Sequence, residues 1–249
     1  METMEERLLK QYFGADAVAM ENARMRLSQN EPLAYILGET VFFDEYYYVT
    51  PATLIPRPDT ERVVEWVIKK LPEQGRLLDL CCGSGCIGIS SIRHSVGTEG
   101  VSLDISADAL EVAKRNAKRN DVADRICFLQ ADLTKDMPQG TGMFDVIVSN
   151  PPYIATDVIE TLMPEVKEHE PRLALDGTED GLFFYRKIVD ESRSYLKNGG
   201  MLYFEIGHDQ GAEVKALMEQ AGFIEVVVVK DYAGLDRVVY GTKKEVDHV

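Results

Sequence analysis

The sequence predicts an α/β fold with a sheet of seven strands and helices on both faces. From Arg76 to Gly241, short apolar runs alternate with segments of helical periodicity, which is typical of βα units. The last two predicted strands follow each other without a helix, so we expect them to pair antiparallel at one end of the sheet. The chain has 249 residues, of which 45% are hydrophobic. A sizeable core is therefore available.

The predicted strands share short runs of apolar residues that end near Gly, Asp, Asn or Lys. They are Arg76–Cys81, Val101–Ile105, Ile126–Ala131, Phe144–Ser149, Met201–Ile206, Phe223–Lys230 and Arg237–Gly241. Helical spacing of apolar residues predicts helices over Ser106–Asn120, Gly181–Leu196 and Gln210–Ala221. Ser106 is a typical N-cap, and the glycines at 199 and 200 are expected to end the second helix.

Residues 1–72 differ in pattern from residues 73–249, and we expect them to form a shortened helical and hairpin segment on the substrate side of the larger domain. Glu5–Leu27 is helical in pattern. Thr40–Thr50 is rich in aromatic residues and predicts a hairpin that turns at Asp44-Glu45.

Two prolines interrupt the stretch between this hairpin and the next predicted helix. Pro56 and Pro58 exclude regular structure there. Asp59 or Thr60 is expected to cap the helix that follows.

Charge and cysteine content restrict the function classes. The formal net charge is −15, which disfavours binding to a polyanion. No apolar run approaches the ~20 residues of a membrane span, and the acidic first residues do not resemble a secretory signal, so we expect a cytoplasmic protein. Cys81, Cys82, Cys86 and Cys127 lack the spacing of a zinc site, so we expect buried thiols and no metal.

A glycine-rich turn follows the first predicted strand. Gly83, Gly85 and Gly88 fit the pattern G-x-G-x-x-G, and Asp104 follows about twenty residues later, as a dinucleotide site requires. Asp79 lies inside the first strand, however, and an acid there favours a ligand with an ammonium group over a pyrophosphate. No residues for hydride chemistry follow. Asp104 is then placed to hold ribose hydroxyls, and Asp132 to accept the amino group of an adenine.

The second motif, Asn150-Pro151-Pro152-Tyr153, comes directly after the fourth strand. The two prolines lack backbone N–H groups, so the Asn150 side-chain oxygen and the Pro151 carbonyl can both act as acceptors. Such a pair suits a planar NH2 group, because each oxygen can accept one hydrogen while Tyr153 packs on the flat face. The motif therefore predicts a site for an amide or an exocyclic amine.

Together, the segment 79–85 and Asn150–Tyr153 resemble class I S-adenosylmethionine-dependent methyltransferases that act on amide or exocyclic nitrogens. Within that class the chain is most similar to the PrmC/HemK family of release factor glutamine methyltransferases, from about Glu31 to Gly241. Further similar segments are Glu31–Gly38, Ile55–Glu61, Glu170–Gly177, Asp180–Leu182, Glu205–Gly207, Gln210-Gly211, Asp231-Tyr232 and Asp236–Val238.

The resemblance implies a class I methyltransferase fold and methyl transfer from S-adenosylmethionine to the side-chain N5 of a glutamine. That glutamine lies in the Gly-Gly-Gln loop of class-1 peptide-chain release factors. The implied cofactor residues are Asp79, Cys81, Cys82, Gly83, Ser84, Gly85, Asp104, Ile105, Asp132, Leu133 and Asn150. The implied catalytic residues are Asn150, Pro151 and Tyr153, and the substrate side adds Pro152, Pro56 and Arg57.

Two positions depart from the family pattern. Relatives often carry Thr where this chain has Cys82, which removes a hydroxyl donor from the loop. They also usually begin with a bundle of several helices that grips the protein substrate, whereas about thirty residues precede Glu31. We therefore expect a smaller docking segment.

The chemistry and the alternatives follow from the motif. An amide nitrogen is a poor nucleophile, so the site must hold it in line with the methyl group. The product sheds its extra proton as the bond forms, so we expect no catalytic His or Glu. The same motif serves N6-adenine methyltransferases on DNA or RNA, but acidic residues follow it from Asp157 to Asp180. Methylation of an amide of a small molecule or of another protein and a non-catalytic cofactor-binding role are the remaining alternatives.

Overall fold

The structure is a computed structural model, which describes residues 3–135 and 139–245. A hairpin is formed by β1 (Glu39–Phe42) and β2 (Glu45–Tyr48). The main sheet contains β3 (Arg76–Leu80), β4 (Glu99–Asp104), β5 (Ile126–Gln130), β6 (Phe144–Ser149), β7 (Leu196–Glu205), β8 (Phe223–Lys230) and β9 (Asp236–Lys243). These match the predicted strands to within a few residues, except at the start of β7.

Ten α-helices occur in the described ranges. They are α1 (Met4–Phe13), α2 (Ala17–Ser28), α3 (Leu33–Leu37), α4 (Glu61–Lys70), α5 (Cys86–Arg93), α6 (Ala107–Arg119), α7 (Pro164–His169), α8 (Arg172–Leu175), α9 (Phe183–Tyr195) and α10 (Gly211–Gln220). Short 3-10 turns cover Pro58–Thr60 and Ile159–Thr161. No helix in these ranges is both long and apolar enough to cross a membrane.

The main sheet has the strand order β5-β4-β3-β6-β7-β9-β8. Strands β3 to β7 run parallel to one another, and β9 pairs antiparallel with both β7 and β8. The predicted seven strands and the antiparallel final strand are thus confirmed. The chain winds outward from β3 to β5 and then returns to start again at β6, so a crevice opens at the carboxyl ends of β3 and β6.

Both faces of the sheet are apolar because its central strands are covered on each side. Leu78 and Ile147 contribute to the core on one face, while Leu77 and Val146 contribute to the core on the other. All four side chains are at most 1% exposed. Each such burial stabilises the fold by roughly 1.5–3 kcal/mol, which makes the sheet a rigid frame for the loops at its edge.

The N-terminal region differs from the sequence prediction in its helices. The helical pattern predicted over Glu5–Leu27 is confirmed, but it is divided into two helices, because α1 ends at Phe13 and α2 begins at Ala17. The Asp16 side chain caps α2 by accepting hydrogen bonds from the backbone N–H groups of residues 18 and 19, each at 3.0 Å. A strong N-cap after Gly14 therefore starts a second helix.

The predicted hairpin is confirmed, but its turn lies one residue earlier than expected. Phe43 and Asp44 occupy the turn with φ of 52° and 63°. Two successive positive φ values match the twist of the flanking strands better than an ordinary turn does. Aspartate tolerates this conformation, whereas a buried Glu45 belongs to the strand.

A buried asparagine attaches the hairpin to the larger domain. Asn116 of α6 accepts a hydrogen bond from the Tyr48 backbone N–H at 2.7 Å and donates to the Tyr48 carbonyl at 3.0 Å. The same amide donates to the Ser84 carbonyl at 2.9 Å. One side chain therefore links the hairpin to the glycine loop.

Three smaller expectations are also corrected. The strand β7 begins at Leu196 and includes the glycines expected to end the preceding helix, because this strand continues through an irregular start beside Phe144. Thr60 precedes α4 but makes no side-chain cap hydrogen bond, and neither does Asp59. Cys127 is exposed rather than buried because it lies on β5, at the edge of the sheet.

Candidate active site

A cleft of about 260 Å³ lies at the carboxyl ends of β3, β4 and β6. Parallel α/β sheets place ligands at this edge, where the strand order reverses. The loops after β3, β4, β5 and β6 line the cleft, and twelve of the predicted site residues are among the lining residues. These twelve are Pro56, Arg57, Cys81, Cys82, Gly83, Ser84, Asp104, Ile105, Asp132, Leu133, Asn150 and Pro152.

The glycine loop turns sharply between β3 and α5. Cys81, Gly83 and Gly85 all have positive φ, at 58°, 53° and 80°. A Cβ on Gly85 would lie 2.8 Å from Cδ1 of Ile89, whereas one on Gly83 would meet nothing within 4 Å. Gly85 is thus required for loop packing, and Gly83 leaves open space beside the cleft.

Asp104 fixes this loop from the end of β4. Its carboxylate accepts the Gly83 N–H at 2.8 Å and the Ser106 N–H at 2.9 Å. Burial raises the pKa of Asp104, and these backbone hydrogen bonds oppose that effect. The side chain still borders the cleft beside Ile105, so it can accept hydrogen bonds from a ligand.

Asp132 lies across the cleft, after β5. Its Oδ1 accepts the Thr134 hydroxyl at 2.6 Å and the Thr134 N–H at 3.0 Å. The hydroxyl bond is the largest cause that lowers the pKa of Asp132. Leu133 is buried beside it. An acceptor next to an apolar surface suits the amino edge of a flat heterocycle.

Asp79 lies beneath the loop and is absent from the cleft wall. It is 1% exposed, and its Oδ2 accepts the Gly88 N–H at 3.0 Å. Burial is the largest cause that raises the pKa of Asp79 to about 7. No hydrogen-bond partner for Oδ1 occurs among the described residues. The structure therefore places this acid behind the loop, where it supports the start of α5.

The motif after β6 divides between cleft and core. Asn150 and Pro152 line the cleft, while Pro151 is buried. The Tyr153 side chain packs against the main core, and its carbonyl accepts the Gln210 side-chain N–H at 3.0 Å. Burial raises the pKa of Tyr153. Tyr153 thus anchors the motif. Its ring does not line the cleft, so the predicted packing of the ring on the substrate amide is not seen in this structure.

The opposite wall comes from the N-terminal region and from the segment after the motif. Arg57 forms an ion pair with Glu170, whose carboxyl is also within 3.4 Å of the Ile55 N–H. Glu170 is 6% exposed. This pair joins the two segments. Their apolar residues Leu54 and Leu173 line the cleft together with Phe184 of α9.

The predicted site set omitted these three apolar residues and also Glu205, which is buried at the end of β7. Leu173 and Glu205 lie within segments similar to the family pattern, Glu170–Gly177 and Glu205–Gly207, and Leu54 directly precedes a third such segment, Ile55–Glu61. The sequence did not show that these residues lie close to the cleft in space. No group of three or more His, Cys, Asp or Glu side chains in the described residues converges as a metal site.

The fold and the cleft define a methyltransferase. A family model for the methyltransferase small domain matches residues 60–170. A solved structure of a methyltransferase from Pyrococcus furiosus is 17% identical and has a TM-score of 0.61, covering 90% of this chain and 100% of that chain. At this identity the likeness shows the class I fold alone.

Two relatives specify the class further. The release factor glutamine methyltransferase of Caulobacter vibrioides is 43% identical over 89% of this chain and 77% of its own length. The enzyme of the same name from Clostridium acetobutylicum is 40% identical over 96% of this chain and 82% of its own length. The chain belongs to the release factor glutamine methyltransferase family, as its motifs predict.

Proposed function

We propose that this protein transfers a methyl group from S-adenosylmethionine to the side-chain N5 of a glutamine in the Gly-Gly-Gln loop of class-1 peptide-chain release factors. One observation carries the proposal: the glycine loop and Asn150 line the same cleft. A site for the methyl donor and an acceptor for an amide are therefore adjacent. Membership of the family supports the same substrate.

The cleft suits the cofactor in its acceptors and its open space. Gly83 leaves room beside the loop for the methionine portion, and Asp104 and Asp132 are acceptors for ribose hydroxyls and an adenine amine. Asp79 supports the loop from behind. When bound, S-adenosylmethionine supplies an electrophilic methyl group on a positively charged sulfur.

Asn150 and Pro151 position the amide. The Asn150 oxygen and the Pro151 carbonyl each accept one hydrogen of the substrate NH2, which aligns the nitrogen with the cofactor and increases its electron density. Tyr153 holds the turn in place through the core. The amide needs no strong base, because the proton leaves to water once the new bond to nitrogen has formed.

The substrate enters along the wall formed by the ion pair of Arg57 and Glu170. We assign residues 1–72 to a substrate-side segment and residues 73–249 to the cofactor domain. Pro56, Arg57 and Pro152 then contact the protein around the reactive glutamine. The partner is a release factor in the cytoplasm, and the net charge of −15 disfavours a nucleic-acid substrate. The assignment requires neither a membrane nor a metal.

Transfer of labelled methyl to purified release factor tests this function. A release factor with Ala in place of the loop glutamine and a nucleic acid serve as controls. We expect label on the intact loop alone. Label on nucleic acid alone would refute the proposal in favour of adenine methylation.

Replacement of the amide acceptor tests the mechanism. Asn150→Ala should reduce turnover by about a hundredfold or more, because one missing preorganised hydrogen bond in a catalytic site has an effect of that order. Cofactor affinity, measured by calorimetry, should change little. Methyl transfer at the normal rate would exclude Asn150 as the acceptor that positions the substrate amide.

A further inference from the structure

A buried carboxyl group lies beside Asn150, the proposed acceptor for the substrate amide. Ser149 pairs with Phe204 in the parallel register of β6 and β7, so Asn150 and Glu205 follow side by side at the edge of the sheet. Asn150 borders the cleft, whereas Glu205 is 2% exposed and does not line it. Glu205 therefore lies behind Asn150, on the side away from the substrate.

The Glu205 side chain faces hydrogen-bond donors but is not saturated by them. Burial raises the pKa of Glu205, and the nearby side chains of Thr60 and Asn150 oppose this effect as donors, although Thr60 Oγ1 has no partner within hydrogen-bond distance among the described residues. Oε2 of Glu205 also lacks a close hydrogen-bond partner within the part of the chain that the structure describes. Hydrogen bonds in catalytic sites are often long before substrate binds and shorten in the complex. This oxygen is thus available to the Asn150 amide.

We infer that Glu205 is a positioning residue whose carboxylate accepts the Asn150 NH2 group and keeps the Asn150 oxygen turned toward the substrate. A carboxylate only accepts hydrogen bonds, so it selects one of the two orientations of the amide. The reverse orientation would place the Asn150 NH2 against the substrate NH2, with two donors facing each other. The inference rests on the proposed function, since it concerns how the amide acceptor is oriented.

The backbone around Glu205 is fixed strongly enough for this role. Tyr185 of α9 is fully buried, and its hydroxyl donates to the Glu205 carbonyl at 2.9 Å. The neighbouring Phe204 side chain is fully buried and packs edge-on against the Tyr185 ring, with centroids 5.1 Å apart. The side chain of Glu205 therefore starts from a fixed backbone position, and its burial leaves the carboxyl little room to follow the wrong amide orientation.

The protonation of Glu205 provides a signature of this role. Burial is the largest cause that raises its pKa to about 7. The charged or titratable groups that interact with it are Arg237 on β9, Asp59 in the 3-10 turn, Tyr153 after β6, Tyr185 on α9 and Cys86 on α5. A protonated carboxyl can donate, so it no longer selects one orientation. The kcat at saturating cofactor should therefore rise as the pH increases through about 7.

A double-mutant cycle tests the inference. Glu205→Gln keeps the shape, but its amide can pair with either orientation of Asn150. We expect kcat on release factor to fall by about tenfold to a hundredfold, as misplacement of a reacting group does. The cofactor Kd should change by less than about twofold. In an Asn150→Ala background the same change should cost less than about twofold, because there is no amide left to orient.

The matched control is Asp59→Asn, which changes a charge near Glu205 without replacing either partner. Its kcat should stay within about twofold of the unmodified enzyme. Normal kcat in Glu205→Gln, or an equal loss in both backgrounds, would overturn the inference. If Glu205→Gln does not fold, the pH profile of the unmodified protein decides, and a flat kcat between pH 6 and 8 overturns it. Absence of any methyl transfer by the unmodified protein would refute the proposed function itself.

Discussion

The buried acid beneath the glycine loop should make the protein less stable as the pH rises toward neutrality. Asp79 is protonated in the folded state up to a pKa of about 7, whereas its ordinary pKa is 3.8. The folded state therefore binds more protons between these values, so the free energy of unfolding falls as pH increases. Asp79→Asn removes the ionisation and keeps an oxygen that can accept the Gly88 N–H.

The magnitude follows from the two pKa values. At ~1.4 kcal/mol per pH unit, the difference between 3.8 and about 7 corresponds to about 4 kcal/mol above pH 7. Relaxation of the site reduces the cost of the charge, so the measured loss should not exceed this value. Between pH 5 and pH 7 the unmodified protein should lose about 2–3 kcal/mol that Asp79→Asn retains.

Urea unfolding of both proteins between pH 5 and pH 8 measures this difference. The contribution of Glu205 has the same sign in both proteins and cancels in the comparison. Asp132→Asn is the matched control, because the pKa of Asp132 is lowered and its stability contribution should be constant over this range. Parallel pH profiles for Asp79→Asn and the unmodified protein would show that Asp79 is charged throughout and refute the reasoning.

Two further substitutions address the walls of the cleft. Gly85→Ala combines a φ of 80° with a Cβ that would lie 2.8 Å from Ile89 Cδ1, so it should destabilise the protein by ~1–3 kcal/mol and weaken cofactor binding. Urea unfolding measures the stability and calorimetry measures the cofactor affinity. Normal cofactor affinity would contradict the role of the loop. Arg57→Ala leaves the buried Glu170 carboxyl without its cation and should cost ~1–3 kcal/mol and raise KM for release factor; an unchanged KM would remove Arg57 from the substrate wall.

Sequence reasoning brought together most of the cleft-lining residues that we assign to the cofactor, because strand ends are encoded locally. Apolar runs mark where β4, β5 and β6 end, and the carboxyl ends of parallel strands meet at one edge. Asp104, Asp132 and Asn150 could therefore be brought together without coordinates. Each is the first or second polar residue at such an end.

The substrate side depended on information that periodicity does not contain. Arg57 and Glu170 are 113 residues apart in the sequence, and no local pattern states that their segments pack together. The burial of Asp79 and the packing of Tyr153 against the core were also beyond prediction, since the direction of a side chain at a strand end depends on the register of neighbouring strands. Glu205 was recognised as part of a similar segment, but its position behind Asn150 follows only from the pairing of β6 with β7.

The position of β9 within the sheet affects the order in which the protein can fold during synthesis. β9 lies between β7 and β8 although it is made after both. Until residues 236–243 leave the ribosome, β7 keeps one unpaired edge and β8 has no partner in the sheet. Nascent chains that stop before this point expose the strand edges that β9, including Val238, would otherwise cover. Unpaired strand edges promote aggregation. Completion of the sheet is thus a late step that waits for the last strand.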